Sequence, residues 1–226
     1  MTFRSNMSKG KLFFKYGCMG SGKSLDLIAK AYNFEDRGQN VLVMKSAIDN
    51  RDGVGVIHSR AIGDRSCEII YDTTNIFDYV AEYIISQQIM EKERNEEGTF
   101  HLDWILVDEC QFLKEEQIDQ IAKAVDFYGV NVICYGLRTD FRTKLFPASK
   151  RLFELADSIE ELKSTCDCGR KTIVNARVDK DGNVITEGEQ VEVGGDDRYV
   201  AYCRKCYLVK TGQIYGIDQK TGQIII

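Results

Sequence analysis

Eight residues constrain this chain more than any others. Gly17-Cys18-Met19-Gly20-Ser21-Gly22-Lys23-Ser24 follows an apolar and aromatic run at 11–16 (KLFFKY) and opens a run with helical spacing. The pattern G-x-x-x-x-G-K-[ST] acquires its mechanism between a strand and a helix, and both are predicted here. Glycines let the backbone curl until successive N–H groups point inward, and the following helix N-terminus adds partial positive charge. The result is a cradle for a di- or triphosphate such as that of ATP. Lys23 is placed to reach the β- and γ-phosphates and Ser24 to ligate Mg²⁺. Ordinary residue frequencies give these four fixed letters by chance in roughly one chain of this length in a hundred. The bland alternative is a glycine-rich turn without a ligand.

The rest of the chain up to about residue 156 alternates in the same way. Leu27, Ile28, Ala31 and Phe34 share one helix face, with Gly38 as a C-terminal stop, and 41–44 (VLVM) suits a strand buried on both sides. Residues 50–63 contain glycine and charge without a period and are expected to form a loop. Thr73 and Thr74 are candidate N-caps for a helix carrying Ile76, Phe77 and Val80; 104–107 (WILV) and 130–135 (VNVICY) are further strands. Between them a helical stretch carries Ile118, Ile121, Ala122 and Val125. An α/β fold follows, with a mostly parallel sheet covered by helices on both faces. From Ser158 the pattern becomes short β-like pieces around turns at Asp181-Gly182 and Gly194-Gly195, which predicts a small all-β appendage. The expected division is an extension at 1–10, a nucleotide-binding domain at 11–157, a metal-held domain at 158–207 and a tail at 208–226. The tail repeats KTGQI once, at 210–214 and 220–224, as expected of a polar tail or a hairpin.

Asp108 and Glu109 end the WILV strand, and ligands of parallel sheets sit at the carboxyl ends of the strands. Asp108 is the natural second holder of Mg²⁺, which prefers hard oxygen ligands. Glu109 is then placed to take a proton from whatever attacks phosphorus; its alternative is a helix N-terminal charge facing the dipole. Asp108-Glu109-Cys110-Gln111 also resembles the DExQ box of helicases, and these four residues with the glycine-rich loop form the predicted ATP and Mg²⁺ site. Attack by water makes an ATPase, and attack by an organic hydroxyl makes a small-molecule kinase. A third possibility is a nucleotide-binding module without transfer. Composition favours the kinase: 226 residues with 30 basic and 35 acidic side chains, net charge -5, supply neither a second lobe nor a cationic groove. Nucleic acid polymer and membrane are thereby disfavoured as partners. No stretch approaches the roughly 18 apolar residues of a membrane span, and the first ten lack a signal-peptide core, so a soluble cytoplasmic protein is expected.

Eight cysteines are present, four of them scattered (Cys18, Cys67, Cys110, Cys134) and read as small apolar residues. Cys166-x-Cys168 and Cys203-x-x-Cys206 are paired, and four soft ligands with no open position point to structural Zn²⁺. Two thiol pairs without metal are the alternative.

In order along 11–207, GCMGSGKS, AIDNR, WILVDECQF, CYGLRTDF, LFP, CDCGRK, EGEQVEVGGDDRY and CRKCY make the chain resemble the type II, zinc-containing thymidine kinases. The resemblance implies phosphoryl transfer from ATP to the 5′-hydroxyl of thymidine, with Glu109 as the base and a zinc-held lasso over the nucleoside. It implies a nucleoside pocket of Met19, Phe112, Leu137, Phe141 and Phe146, with Val193, Gly194 and Tyr199 from the lasso. Asp49 and Arg51 match an Asp-x-Arg pair near the phosphates, Arg51 being the candidate for stabilising transition-state charge. A homotetramer and inhibition by dTTP are implied in the same way.

Overall fold

The apolar runs become strands because each has partners on both sides and helices above and below. The computed structural model describes residues 10–51, 53–94, 100–188, 190 and 198–213, and the backbone of 216–217 and 224–225. Its first part contains, in chain order, β1 (Leu12–Tyr16), α1 (Lys23–Glu35), β2 (Val41–Ser46), β3 (Val56–Ser59), β4 (Gly63–Ser66) and β5 (Glu68–Ile70). Then come α2 (Ile76–Glu93), β6 (Trp104–Asp108), α3 (Glu115–Tyr128), β7 (Asn131–Gly136), α4 (Pro147–Leu155) and β8 (Ser158–Glu161). Six of these strands form one sheet in the order β5-β2-β6-β7-β1-β8, and every pairing in it is parallel.

Alternate residues of the inner strands feed two cores. Leu12, Phe14, Leu42, Met44, Ile105, Val107 and Val132 pack with Ile76, Val80, Ile118, Ile121, Val125, Ala148 and Leu152, so α2, α3 and α4 cover one face. Val43, Leu106, Ile133 and Tyr135 pack with Leu27, Ile28 and Ala31 of α1 on the other. Phe34 completes the predicted α1 face by stacking on Trp104 at 4.2 Å. Gly129, at φ 70, ends α3, and Pro147 opens α4 where its missing N–H costs nothing.

Three expectations change. Residues 56–66 are not loop but an antiparallel hairpin, β3 with β4, its inner Ile57 buried against the α1 core and its Arg65 paired with Glu35 of α1. Charge on both faces, His58 and Asp64 outside and Arg65 inside, hid the alternation. The cap of α2 is Asn75, whose side chain accepts from the Asp78 N–H at 3.3 Å; Thr74 is spent closing the preceding turn, accepting from the Tyr71 N–H at 3.0 Å. The parallel sheet also runs past Ser158, since β8 pairs with β1.

The second part is a three-stranded antiparallel sheet in the order β10-β9-β11, from β9 (Val174–Val178), β10 (Val184–Ile185) and β11 (Tyr199–Tyr202). The predicted turn at Asp181-Gly182 joins β9 to β10, with Gly182 at φ 82. It is not all-β: α5 (Arg204–Lys210) follows β11 and packs Tyr207 against Val174 and Ala176. In the tail, β12 (Gly216–Ile217) pairs antiparallel with β13 (Ile224–Ile225), which makes the repeat region a hairpin. The Gly194-Gly195 turn lies outside the described residues. Among the described residues no helix is long and apolar enough to cross a membrane.

Candidate active site

The loop between β1 and α1 turns at Gly20 (φ 73) and Gly22 (φ 81), values that side chains with a Cβ rarely adopt. Gly17 is required for space, because a Cβ there would lie 2.3 Å from Ser21 Oγ and 2.5 Å from the Leu162 carbonyl. Lys23 curls back over this loop and donates to the Cys18 carbonyl at 3.0 Å and the Gly17 carbonyl at 3.4 Å. Ser21 Oγ is buried with no partner among the described residues, a spare donor in the cradle. Ser24 Oγ donates to Asp108 Oδ2 at 3.4 Å, so the hydroxyl and carboxylate predicted for Mg²⁺ are neighbours. Burial, then the charge of Glu109, pushes the Asp108 carboxyl up to about 7 against the Glu109 N–H, Lys23 and Lys45. Such a hydroxyl and carboxylate, all hard oxygen, fit a magnesium ion, whose charge would hold Asp108 ionised.

Glu109 has φ 50, left-handed for a residue with a Cβ, which costs about 1–3 kcal/mol. That bend starts the short 3₁₀ turn Cys110–Phe112 and separates the directions of two adjacent acids. Glu109 Oε1 accepts from Arg51 Nη2 at 2.8 Å, and Oε2 accepts from Gln111 Nε2. Gln111 Oε1 in turn accepts from the Leu137 N–H at 2.9 Å. Arg51 is itself held by Asp49, with Nε at 2.5 Å from Oδ1 and Nη2 at 3.2 Å from Oδ2. Burial opposes the Asp49 charge, but Arg51 and then Lys45 more than offset it and hold the carboxyl below its ordinary value.

Two cavities meet at this acid. One runs from Gly20, Gly22, Lys23, Ser24 and Leu25 to His58, Ser59, Arg60 and Ala61 of the hairpin. The other is lined by Phe112, Leu137, Phe146, Tyr199, Asp49 and Gln111, with Ile48, Thr139, Asp140, Asn175 and Gln190. Met19, Lys23, Arg51 and Glu109 line both. Phe112 and Phe146 meet edge to face at 6.0 Å in the second cavity. The small β unit is tied to the loop here, Asn175 Oδ1 accepting from the Met19 N–H at 2.8 Å.

Three predicted residues lie elsewhere than expected. Phe141 does not line the cavity: it is 2% exposed, its ring under the Arg177 guanidinium at 4.0 Å, and Arg177 also donates to the Tyr199 hydroxyl at 3.1 Å. Cys110 is fully buried in the larger core rather than in the first cavity, its thiol pushed up by burial and by Cys134. Gln111 belongs to the second cavity, not the first. Val193 and Gly194 fall outside the described residues. The sequence did not single out Asn175, Thr139, Asp140, Gln190, His58 or Arg60. Thr139 and Asp140 carried a signal as members of the CYGLRTDF run, and Gln190 as a member of EGEQVEVGGDDRY.

The paired cysteines converge. The four Sγ atoms of Cys166, Cys168, Cys203 and Cys206 all lie within 4.8 Å of one another, Cys168 and Cys203 at 3.5 Å. Gly169 (φ 81) closes the first turn, its N–H donating to the Cys166 carbonyl at 2.7 Å. Cys203 caps α5, accepting from the Cys206 N–H at 3.4 Å. Thiolate bonds to zinc of about 2.3 Å put the sulfurs of a tetrahedral site somewhat under 4 Å apart, so this donor set fits the ion. The other four cysteines are buried or half-buried, as expected of small apolar residues.

Comparison with known proteins agrees with this geometry. A family profile described as "Thymidine kinase" matches residues 10–207. The thymidine kinase of Haemophilus influenzae (strain ATCC 51907 / DSM 11121 / KW20 / Rd) is 41% identical over 204 residues, covering 90% of this chain and 99% of that protein. The thymidine kinase of Mannheimia succiniciproducens is 38% identical over 205 residues (91% and 98%), and that of Vibrio cholerae serotype O1 is 40% identical over 203 (90% and 99%). A glycine-rich loop opening on a shared acid, a second cavity beside it, a four-cysteine cluster and a match across most of the sequence together establish that this chain belongs to the thymidine kinase family.

Proposed function

We propose that this chain transfers the γ-phosphoryl group of ATP to the 5′-hydroxyl of thymidine, giving ADP and dTMP for DNA synthesis by salvage. One observation carries the choice over an ATPase: Glu109 faces a second, largely apolar cavity as well as the phosphate loop. Water needs no such room, whereas a nucleoside does.

In this account the loop amides and Lys23 hold the β- and γ-phosphates, giving up the Lys23 contacts to the loop carbonyls. Ser24 and Asp108 would hold Mg²⁺, which supplies charge neutralisation on the phosphates. The pyrimidine sits between Phe112, Phe146, Leu137 and Tyr199, with Met19 at the junction, and Phe141 and Arg177 brace Tyr199 from behind. Glu109, kept in place by Arg51 and Gln111, accepts the 5′-OH proton as the oxygen attacks phosphorus. Arg51 adds positive charge where the transferring group becomes most negative. Most of the acceleration then comes from placement and electrostatics.

The four cysteines would hold one structural Zn²⁺, which supplies folding energy to the small β unit that follows β8 and covers the nucleoside. Its free thiols suit a reducing compartment, which supports a cytoplasmic enzyme. Assembly as a homotetramer and inhibition by dTTP extend the family likeness. Labelled ATP offered with a panel of nucleosides tests the proposal. Label should pass to thymidine; hydrolysis stimulated by single-stranded nucleic acid, or binding without any labelled product, would refute it.

A further inference from the structure

Lys45 is the most buried cation among the described residues, 1% exposed, near the carboxyl end of β2 in register with Asp108 on β6. Nothing in the transfer step just described uses it. Among the described residues its ammonium makes two contacts, both to the excursion between β2 and β5: Asp49 Oδ2 at 3.1 Å and the Val56 carbonyl at 3.1 Å. Asp49, 5% exposed, also holds Arg51. Burying an ammonium and a carboxylate together returns little net stability, because both lose their hydration. Their arrangement does fix a direction. Arg51 Nη2 is shared between Asp49 at 3.2 Å and Glu109 at 2.8 Å, so the angle at which Asp49 is held decides how the guanidinium meets Glu109. The order of charges runs Lys45, Asp49, Arg51, Glu109, alternating in sign from the sheet to the junction of the two cavities.

We propose that Lys45 is a positioning residue for phosphoryl transfer: it clamps Asp49 so that Arg51 aligns Glu109. Without it, Asp49 has one cation left and turns toward it, and Arg51 is drawn off Glu109. This rests on the phosphoryl-transfer function above.

The test is Lys45→Met in the full-length protein, assayed for kcat and for nucleotide affinity, with a thermal melt to establish folding. Misalignment of the base should lower kcat about ten- to a hundredfold. ADP affinity, read by calorimetry, should stay within about threefold, since the phosphate loop is untouched. The specific readout is the cycle with Arg51→Ala: if Lys45 acts through Arg51, adding Lys45→Met to that variant changes kcat by less than about threefold. A single-variant kcat within about twofold of the parent, or full additivity in the cycle, overturns the proposal. Should the methionine variant fail to fold, Lys45→Gln keeps a donor but not the charge, and is judged by the same criteria. Transfer to thymidine by the parent is the control. If the parent transfers and the variants match it, this inference alone fails; if the parent does not transfer, both fail.

Discussion

Gly136, the last residue of β7, offers a sharp test of how Glu109 is aimed, because it touches neither substrate cavity. A Cβ at this position would lie 2.6 Å from Cys110 Sγ, 2.7 Å from Gln111 Oε1 and 3.2 Å from the Gln111 nitrogen. Carbon and sulfur normally meet no closer than about 3.5 Å, so the overlap with Cys110 approaches an ångström. Cys110 is fully buried in the core and cannot retreat. The amide of Gln111 is the part that can move, and moving it breaks both the bond from the Leu137 N–H and the bond to Glu109 Oε2. Gly136→Ala should therefore lower stability by about 1–3 kcal/mol, the usual cost of overpacking. Releasing one side of the base should also cut kcat about ten- to a hundredfold, with KM for ATP little changed. Steady-state kinetics beside a urea titration measure both, and Cys110→Ala in the same chain should recover part of each by making room. A variant with lowered stability but parental kcat would refute the claim that Gln111 holds Glu109.

Chelation should remove the metal and with it the fold of β9, β11 and α5, seen as new protease sensitivity there and loss of transfer, while elemental analysis of the untreated protein should find one zinc per chain; absence of zinc would remove the site. Asp49 gives a pH prediction whose sign follows from its lowered carboxyl: the unfolded chain binds that proton more tightly, so Asp49 contributes fully above its ordinary 3.8 and loses the contribution as pH falls through the lower folded value. The stability difference between parent and Asp49→Asn should accordingly be level above about pH 5 and shrink below 3.8, as read by denaturant titration across that range; a difference that grows on acidification would contradict the pairing.

What the letters revealed depended on how local the chemistry is. The glycine-rich loop, Asp108-Glu109 and the cysteine pairs were legible because each is a spacing within a few residues, and spacing is written in sequence. The parallel sheet was legible because strands such as VLVM and WILV are buried on both faces. The hairpin at 56–66 was not, since its outer face carries His58 and Asp64 while its inner face mixes Ile57 and Ser59 with Gly63 and a charged Arg65. Phe141 and Phe146 flank one loop and look equivalent, yet which of them faces the cavity depends on Arg177, thirty-six residues beyond Phe141. Cys110 sits between two residues that line the second cavity and still points into the core, because a 3₁₀ turn there redirects each side chain in succession. Asn175 and Lys45 acquire their roles only through partners that the fold brings to them.

The central claim, that Glu109 takes the proton from the attacking hydroxyl, is tested most directly by Glu109→Gln under single-turnover conditions with labelled ATP and saturating thymidine. The amide keeps the shape, so ATP should bind as in the parent, while transfer falls by about two to four orders of magnitude, the range for loss of a general base. Transfer at the parental rate by a folded, ATP-binding Glu109→Gln protein would contradict it.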